Sequence, residues 1–216
     1  MINPRPWLKN FAPAKVSGLI LVCAALLLSA CGGPKLEALS SDATILAFGD
    51  SLTAGTGVSP ENSYPAVLAR LLKRKVINAG MPGEVTEGGK ARLPGLLDEH
   101  SVQLVVICHG GNDFLHRLPE DQTEANLRAM ISEVKSRGID VVLIAVPLPG
   151  IWANPPELYN RLARGFDVPL DENILGKLEA DPAMKSDPVH LNQPGYQRMA
   201  EAVVSLLVAA GAVAES

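Results

Sequence analysis

Four short apolar runs, separated by stretches of helical periodicity, are the feature that most constrains the fold of this chain. The runs are rich in branched residues and do not alternate with polar ones, as is typical of strands buried on both faces of a parallel sheet. They occupy residues 45–48, 76–78, 104–108 and 141–146. Alternation of such strands with helices predicts a three-layer α/β/α sandwich around a central parallel sheet.

Helix signals fill the gaps between these runs. Pro65 precedes a set of leucine and valine residues at helical spacing, and Gly138 stands where a helix would end. Further helical patterns cover residues 91–97 and 125–136. A last helix is predicted near Asn192, with Pro194 in its first turn, and it would bury Met199, Val203, Leu206 and Leu207. In a sheet of this kind the active site lies at the carboxyl ends of the strands.

The first 30 residues have the composition of a targeting segment. Arg5, Lys9 and Lys15 supply positive charge without any acid, and an apolar run follows over residues 16–28. This pattern predicts a secretory signal peptide at residues 1–30. The run is short for a membrane-spanning helix, which is the alternative interpretation.

Leu28-Ser29-Ala30-Cys31 resembles the bacterial lipobox. The resemblance implies that Cys31 becomes the lipidated first residue of the mature protein, anchored by acyl chains worth about 0.8 kcal/mol per buried methylene. Gly32 in place of Asp resembles lipoproteins sent to the outer membrane, which implies its periplasmic face. The alternative is an ordinary cleaved signal with an incidental cysteine. Residues 31–42 are expected to form the lipidated cysteine and a tether, and residues 43–216 the domain.

Charge and cysteine content limit the kinds of partner and the disulfide bonds that the chain can have. Without residues 1–30, 16 basic side chains face 23 acidic ones, a net charge of −7. Such a chain is poorly suited to nucleic acid, and it would attach to a membrane through lipid rather than through charge. Cys108 would then be the one cysteine of the domain, which leaves no intramolecular disulfide and favours a small buried side chain.

Polar, glycine-containing loops follow three of the strands. Gly49-Asp50-Ser51-Leu52 follows the first, so Ser51 can expose its hydroxyl at the catalytic edge; a capped turn is the alternative. Gly83, after the second, can offer a backbone N–H. Asn112, after the third, can donate to a developing oxyanion, worth about 3 kcal/mol of barrier, or can simply serve a turn.

A serine nucleophile needs a base, and His190 is the best placed of the four histidines. Asp187 lies three residues earlier and can curl back to accept the Nδ1 hydrogen, which leaves Nε2 free for Ser51. A capped helix start with a surface histidine is the alternative. The other three are explained as a helix end, a loop residue and part of a polar stretch, and they are His100, His109 and His116.

Gly49-Asp50-Ser51-Leu52, Gly83, Gly110-Gly111-Asn112-Asp113 and Asp187-x-x-His190 together resemble the four ordered blocks of the SGNH (GDSL) hydrolase family. Residues 78–83, 91–94 and 166–170 resemble its periplasmic thioesterase/lysophospholipase/arylesterase branch. The resemblance implies a flavodoxin-like fold, no cofactor, and cleavage of carboxylic ester bonds through an acyl-enzyme on Ser51. It implies that His190 is general base and acid, that Asp187 orients it, and that Ser51, Gly83 and Asn112 form the oxyanion hole.

The chain departs from that branch at three places. Val85 separates Glu84 from Thr86 where an acid is commonly followed directly by a hydroxyl residue. Leu191 stands where proline is usual, and residues 170–186 do not resemble the branch. These departures bear on substrate preference and leave the triad intact.

The substrate is expected to be a small-molecule or lipid ester, with a thioester or a lysophospholipid as variants. Apolar residues near the site are candidates for an acyl groove, or alternatively for closing the core: Phe114, Leu115, Leu148, Ile151 and Trp152. The rival functions are a carbohydrate O-acetyl esterase and a non-catalytic or structural envelope lipoprotein; no repeat or heptad supports a structural role. No His, Cys or carboxylate cluster has metal-ligand spacing, and the sequence does not indicate the oligomeric state.

Overall fold

The computed structural model describes residues 33–150 and 154–215 and contains a five-stranded, all-parallel sheet. The strand order is β2-β1-β3-β4-β5. The strands are β1 Thr44–Gly49, β2 Lys75–Gly80, β3 Leu104–Cys108, β4 Asp140–Ile144 and β5 Leu170–Asp171. The predicted parallel α/β architecture is therefore confirmed, and its first four strands lie at the four apolar runs.

The helices cover both faces of the sheet. They are α1 Ser51–Ala54, α2 Tyr64–Leu72, α3 Thr86–Glu99, α4 Gly111–Leu115, α5 Glu120–Ser136, α6 Leu158–Phe166, α7 Ile174–Ala180 and α8 Gln193–Ala209. The chain moves across the sheet in one direction from β1 to β2 and in the other from β2 onward, so right-handed crossovers place α2 on one face and α3 and α5 on the opposite one. Packing agrees, since α2 contacts α8 whereas α3 and α6 contact α5.

The three central strands form the core, but β2 does not fit the expectation of burial on both faces. Every residue of β3 is buried, as is almost all of β1 and β4. Strand β2 lies at the sheet edge, where Lys75 and Asn78 are exposed and only Ala79 is buried. Its run was too short and too polar to establish a central position.

The segment before β1, expected to belong to a free tether, is packed on the domain. The compact unit begins at Pro34, and Leu39 is buried in its core. The N–H groups of Leu36 and Leu39 donate to the carbonyl oxygens of Ala210 and Ala212, at 3.0 and 2.8 Å. Arg74 donates to the carbonyl oxygens of Leu39 and Ser40. We call residues 34–42 the N-terminal strap.

Some sequence-based expectations lie outside the described residues. These are the signal peptide at 1–30, the lipidation site Cys31, and the groove candidates Ile151 and Trp152. Among the helices of residues 33–150 and 154–215, none combines the length and apolarity that a membrane span requires.

Candidate active site

Ser51 lies two residues after the end of β1, at the point where the sheet order reverses. The chain proceeds from β1 to one neighbour and reaches the other, β3, only later, so the loops after these two strands diverge and leave a crevice. Asp50 caps the short helix α1, its Oδ1 accepting from the Leu52 N–H at 3.1 Å. Ser51 is the first residue of that helix, which directs its side chain into the crevice.

Three side chains that are distant in sequence form one hydrogen-bonded line. His190 Nε2 lies 3.0 Å from Ser51 Oγ. The opposite ring nitrogen, Nδ1, lies 2.8 Å from Asp187 Oδ2. An ionised carboxylate only accepts, so Nδ1 carries the hydrogen and Nε2 is left to accept the hydrogen of the serine hydroxyl. This is the arrangement that activates a serine nucleophile.

The loop before α8 fixes Asp187 and His190 through its backbone. The N–H groups of Val189 and His190 both donate to Asp187 Oδ1 at 2.8 Å. These bonds, together with the one from the His190 ring, lower the pKa of Asp187 to about 2, so the carboxylate is charged throughout the physiological range. Leu191, which takes the position of the usual proline, is fully buried and anchors the loop beside the histidine.

The three groups predicted to form an oxyanion hole lie on the loops that follow β1, β2 and β3. Gly83 has a φ of +78°, a conformation that glycine adopts without strain, and nothing approaches the position of a Cβ there. Asn112 Nδ2 lies 3.0 Å from the Glu84 carbonyl oxygen and 3.3 Å from Asp50 Oδ2. Within the described residues, the N–H groups of Ser51 and Gly83 donate to no protein acceptor. Both remain available to a substrate oxygen.

A buried ionic cluster, which the sequence did not reveal, joins two of these loops. We define the Glu84 cluster as Glu84, Arg92 and His109. Arg92 Nε and Nη2 donate to the two oxygens of Glu84 at 2.9 and 2.7 Å, and Arg92 stacks on the Phe48 ring. His109 is fully buried, with Nε2 3.1 Å from Glu84 Oε2.

The hydrogen bonds of the Glu84 cluster define its charge state. His109 Nδ1 accepts from the Gly110 N–H, so Nε2 carries the hydrogen that is donated to Glu84. Burial opposes ionisation of Glu84, but the hydrogen bonds from His109 and Arg92 outweigh it and lower its pKa to about 2. Sequence patterning interpreted His109 as a loop residue because nothing local links it to Glu84, 25 positions earlier.

A cavity of about 150 Å³ opens beside Ser51. Leu115, one of the groove candidates, lines it together with Val146, Pro149 and Val189. Phe114 does not, because it packs in the core with its ring edge-on to Tyr159. Leu148 is exposed and lies outside the cavity wall.

Two charged side chains in the cavity wall come from the segment that departs from the family pattern. Glu179 and Lys185 both line the cavity, and the ammonium group of Lys185 donates to the Glu179 carbonyl oxygen at 3.2 Å. Burial raises the pKa of Glu179 to about 7, an effect that the charge of Lys185 partly offsets. Sequence patterning had assigned no role to either residue. Across residues 33–150 and 154–215, no group of three His, Cys, Asp or Glu side chains is arranged to hold a metal ion.

Comparison with known proteins gives a consistent result. The GDSL-like Lipase/Acylhydrolase family model matches residues 47–198. Thioesterase 1/protease 1/lysophospholipase L1 of Escherichia coli strain K12 is 33% identical over 166 residues, covering 73% of this chain and 80% of the relative. The arylesterase of Vibrio mimicus is 34% identical over 175 residues, covering 76% and 88%. The crystal structure of TesA superposes with a TM-score of 0.71 at 30% identity, covering 76% of this chain and 97% of that one.

Proposed function

Because the chain belongs to the GDSL-like lipase/acylhydrolase family, and is therefore a carboxylic ester hydrolase, we propose that Ser51, His190 and Asp187 are its catalytic triad. The observation that carries this proposal is the unbroken line from Ser51 Oγ through the His190 ring to Asp187, with contacts of 3.0 and 2.8 Å.

In the proposed mechanism, Ser51 Oγ attacks the ester carbonyl while His190 Nε2 takes the hydroxyl proton. The tetrahedral intermediate collapses as His190 returns that proton to the departing alcohol, which leaves an acyl group on Ser51. Water then attacks the acyl-enzyme, again giving its proton to His190, and the acid is released as Ser51 recovers its hydrogen. Asp187 holds the tautomer and stabilises the imidazolium in both halves.

The proposed oxyanion hole consists of the Ser51 and Gly83 N–H groups and the Asn112 side chain. Its support is that two of these donors are unused by the protein and that the third is held in place by Glu84 and Asp50. Donors fixed in advance stabilise the charge that develops in the transition state without reorganising.

We propose a preference for short to medium acyl chains over acetylated sugars. The cavity beside Ser51 has the volume of a small acyl group, and apolar side chains such as Leu115, Val146 and Val189 form part of its wall. Leu115 and Val189, which are exposed apolar side chains in the cavity wall, support the same preference. A purified protein that deacetylates xylan or peptidoglycan but ignores p-nitrophenyl acyl esters of every length would refute it.

The test of the triad is Ser51→Ala, which should abolish both turnover and fluorophosphonate labelling while leaving the circular dichroism spectrum unchanged. Labelling that persists at another serine would refute the assignment. The Cys108 thiol offers no competing nucleophile, because it is fully buried and burial raises its pKa well above the ordinary value.

We further propose that the enzyme is exported and lipidated at Cys31, at the periplasmic face of the outer membrane. The support is the Leu-Ser-Ala-Cys motif, Gly32 after it, and a folded unit that begins three residues beyond the cysteine. Cells fed radiolabelled palmitate should label the wild-type protein and not Cys31→Ser, and equal labelling of the two would disprove the site.

A further inference from the structure

We propose that the anchor on Cys31 holds the enzyme with its catalytic edge turned away from the bilayer that carries it, so that its substrates are esters supplied from the aqueous phase and not lipids of that same bilayer surface. The inference rests on the proposed lipidation and hydrolase site, and it names the source of the ester.

The first step is where the N-terminal strap lies on the folded unit. Its contacts are all at the amino ends of the strands, the edge opposite Ser51. The Glu37 N–H donates to Asp140 at the start of β4, and Ser40 Oγ donates to Gln103, just before β3, at 2.6 Å. Arg74, just before β2, holds the strap from the other side.

The second step is the distance between this edge and the catalytic one, which α8 spans. The helix begins three residues after His190 and ends at Ala209, whose carbonyl oxygen accepts from Lys35 Nζ at 2.9 Å. Seventeen helical residues extend for about 25 Å. The start of the strap is therefore separated from Ser51 by roughly the height of the sheet.

The third step is the reach of the chain between the anchor and the strap. Only Gly32 and Gly33 separate Cys31 from Pro34, so the Cα atoms of Cys31 and Pro34 can be at most about 11 Å apart. Bringing the catalytic edge down to the bilayer would raise the strap about 25 Å above it. That separation is more than twice what three virtual bonds can bridge.

Detachment of the N-terminal strap would lengthen the flexible segment between Cys31 and the folded unit, but the strap is bound to that unit at several points. Leu39 is buried in the core, and hydrogen bonds tie the strap to α8, to Asp140, to Gln103 and to Arg74. For as long as the strap is folded, the catalytic edge therefore cannot be turned down onto the bilayer that carries the anchor.

The experiment compares one reporter ester in two places. The full-length protein, purified from bacterial membranes and reconstituted in phosphatidylcholine vesicles, is given umbelliferyl butanoate in solution, or the same ester linked to the headgroup of a non-exchanging dialkyl lipid in those vesicles. A variant carries a 20-residue Gly/Ser insertion between Gly33 and Pro34, whose root-mean-square span is about 25 Å. A matched control carries the same segment after Ser216.

We expect the insertion to raise hydrolysis of the lipid-linked ester in the same vesicle at least tenfold, at a rate independent of vesicle dilution. Hydrolysis of the soluble ester should change less than twofold, and the control should behave as the wild type. Equal cleavage of the lipid-linked ester by the wild type and the lengthened variant would overturn the inference. So would mass spectrometry showing no lipid on Cys31, whereas failure of every variant on the soluble ester would instead refute the hydrolase site.

Discussion

Asn112 illustrates how single residues carry the proposed chemistry. Its side chain already donates to Glu84 and Asp50, so it is oriented before any substrate arrives. Asp50 is itself almost fully buried, and burial raises its pKa. The orientation of Asn112, a proposed oxyanion donor, therefore depends on two neighbours that take no part in the proposed bond-making steps.

Asn112→Ala should lower kcat about 10²–10³-fold, with a much smaller change in KM, because the lost bond strengthens only as charge develops on the carbonyl oxygen. Steady-state kinetics on p-nitrophenyl butanoate separate the two constants. A change confined to KM would contradict the role, provided that the variant unfolds at the wild-type denaturant midpoint.

Glu84→Gln should affect both stability and rate. The change leaves Arg92 short of its carboxylate partner in a largely buried site, which we expect to lower the free energy of unfolding by about 2 kcal/mol. The side-chain bonds of Glu84 also hold the loop whose main-chain carbonyl oxygen, at Glu84, accepts from Asn112; loosening that loop should lower kcat by about tenfold, with KM little changed.

Glu87→Gln is the matched control, since Glu87 pairs with Lys90 at the exposed surface. It should alter the free energy of unfolding by less than about 0.5 kcal/mol and leave kcat unchanged. If Glu84→Asp restores kcat but not the free energy of unfolding, the role of Glu84 in positioning the loop is separate from its role in stability. Identical behaviour of the Glu84 and Glu87 variants in urea titrations and kinetics would argue against the cluster.

Glu179 should make stability depend on pH near neutrality. Its folded-state pKa of about 7 lies above the ordinary value of 4.5, so its ionisation is penalised in the folded protein. Its contribution is most favourable below pH 4.5 and is lost as the pH rises through 7. In urea titrations, the free energy of unfolding of Glu179→Gln relative to the wild type should therefore be higher at pH 8 than at pH 5. A constant difference would contradict the shift, and Glu172→Gln, at an exposed position, serves as the control.

At the scale of elements, β1 leaves little room for larger side chains. It is the strand that pairs with both β2 and β3, and its last residue precedes the proposed active-site loop. A Cβ added at Gly49 would lie 2.0 Å from the Cys108 carbonyl oxygen, which is backbone and cannot yield without moving β3. Close approach of two strands thus explains the glycine that begins the Gly-Asp-Ser-Leu motif.

Gly49→Ala should therefore destabilise the protein by 2 kcal/mol or more, on the order expected for an overpacked site. Gly95→Ala provides a contrast within helix α3, where a Cβ meets nothing within 4 Å. There the substitution should stabilise by about 0.5–1 kcal/mol, because alanine loses less entropy in a helix. Thermal unfolding of both variants tests the pair, and a neutral Gly49→Ala would contradict the packing argument.

The elements differ in how far the sequence could predict them. Strands β1, β3 and β4 were predictable because their apolar runs are continuous. Strand β5, Leu170–Asp171, is too short to carry a periodic signal. Helix α6 was overlooked although its buried residues, among them Leu158, Tyr159 and Leu162, recur at helical spacing.

The candidate site likewise has parts that the sequence could predict and parts that it could not. The Asp187-x-x-His190 spacing was visible because both residues lie in one turn of chain. The Glu84 cluster was not, because its members meet only when β3 and α3 pack against the loop between β2 and α3. Residues 181–192 fold back on themselves, and no sequence pattern placed Glu179 and Lys185 in the cavity wall.

For the molecule as a whole, the N-terminal strap packs across the amino ends of the strands. It ties α8, β3, β4 and the start of β2 together, so it contributes to the stability of the folded unit as well as to its proposed orientation. The domain boundary predicted at residue 43 therefore left the strap outside the folded unit, which begins at Pro34.

Leu39→Ala should lower the free energy of unfolding by about 2 kcal/mol, the lower end for a buried leucine, because the strap lies near the surface. Glu37→Ala, whose side chain is exposed, should change it by less than about 0.5 kcal/mol. Guanidinium titration of the two variants distinguishes them. Equal stability would mean that the strap adds nothing to the folded unit.

Ser51 and His190 are 139 residues apart, near opposite ends of the folded unit. The proposed nucleophile belongs to one of the earliest parts of that unit to be synthesised, and its base to one of the latest. A ribosome-bound chain therefore carries the serine without the histidine proposed to activate it. With the proposed triad, hydrolytic competence is acquired only once the final helix has docked.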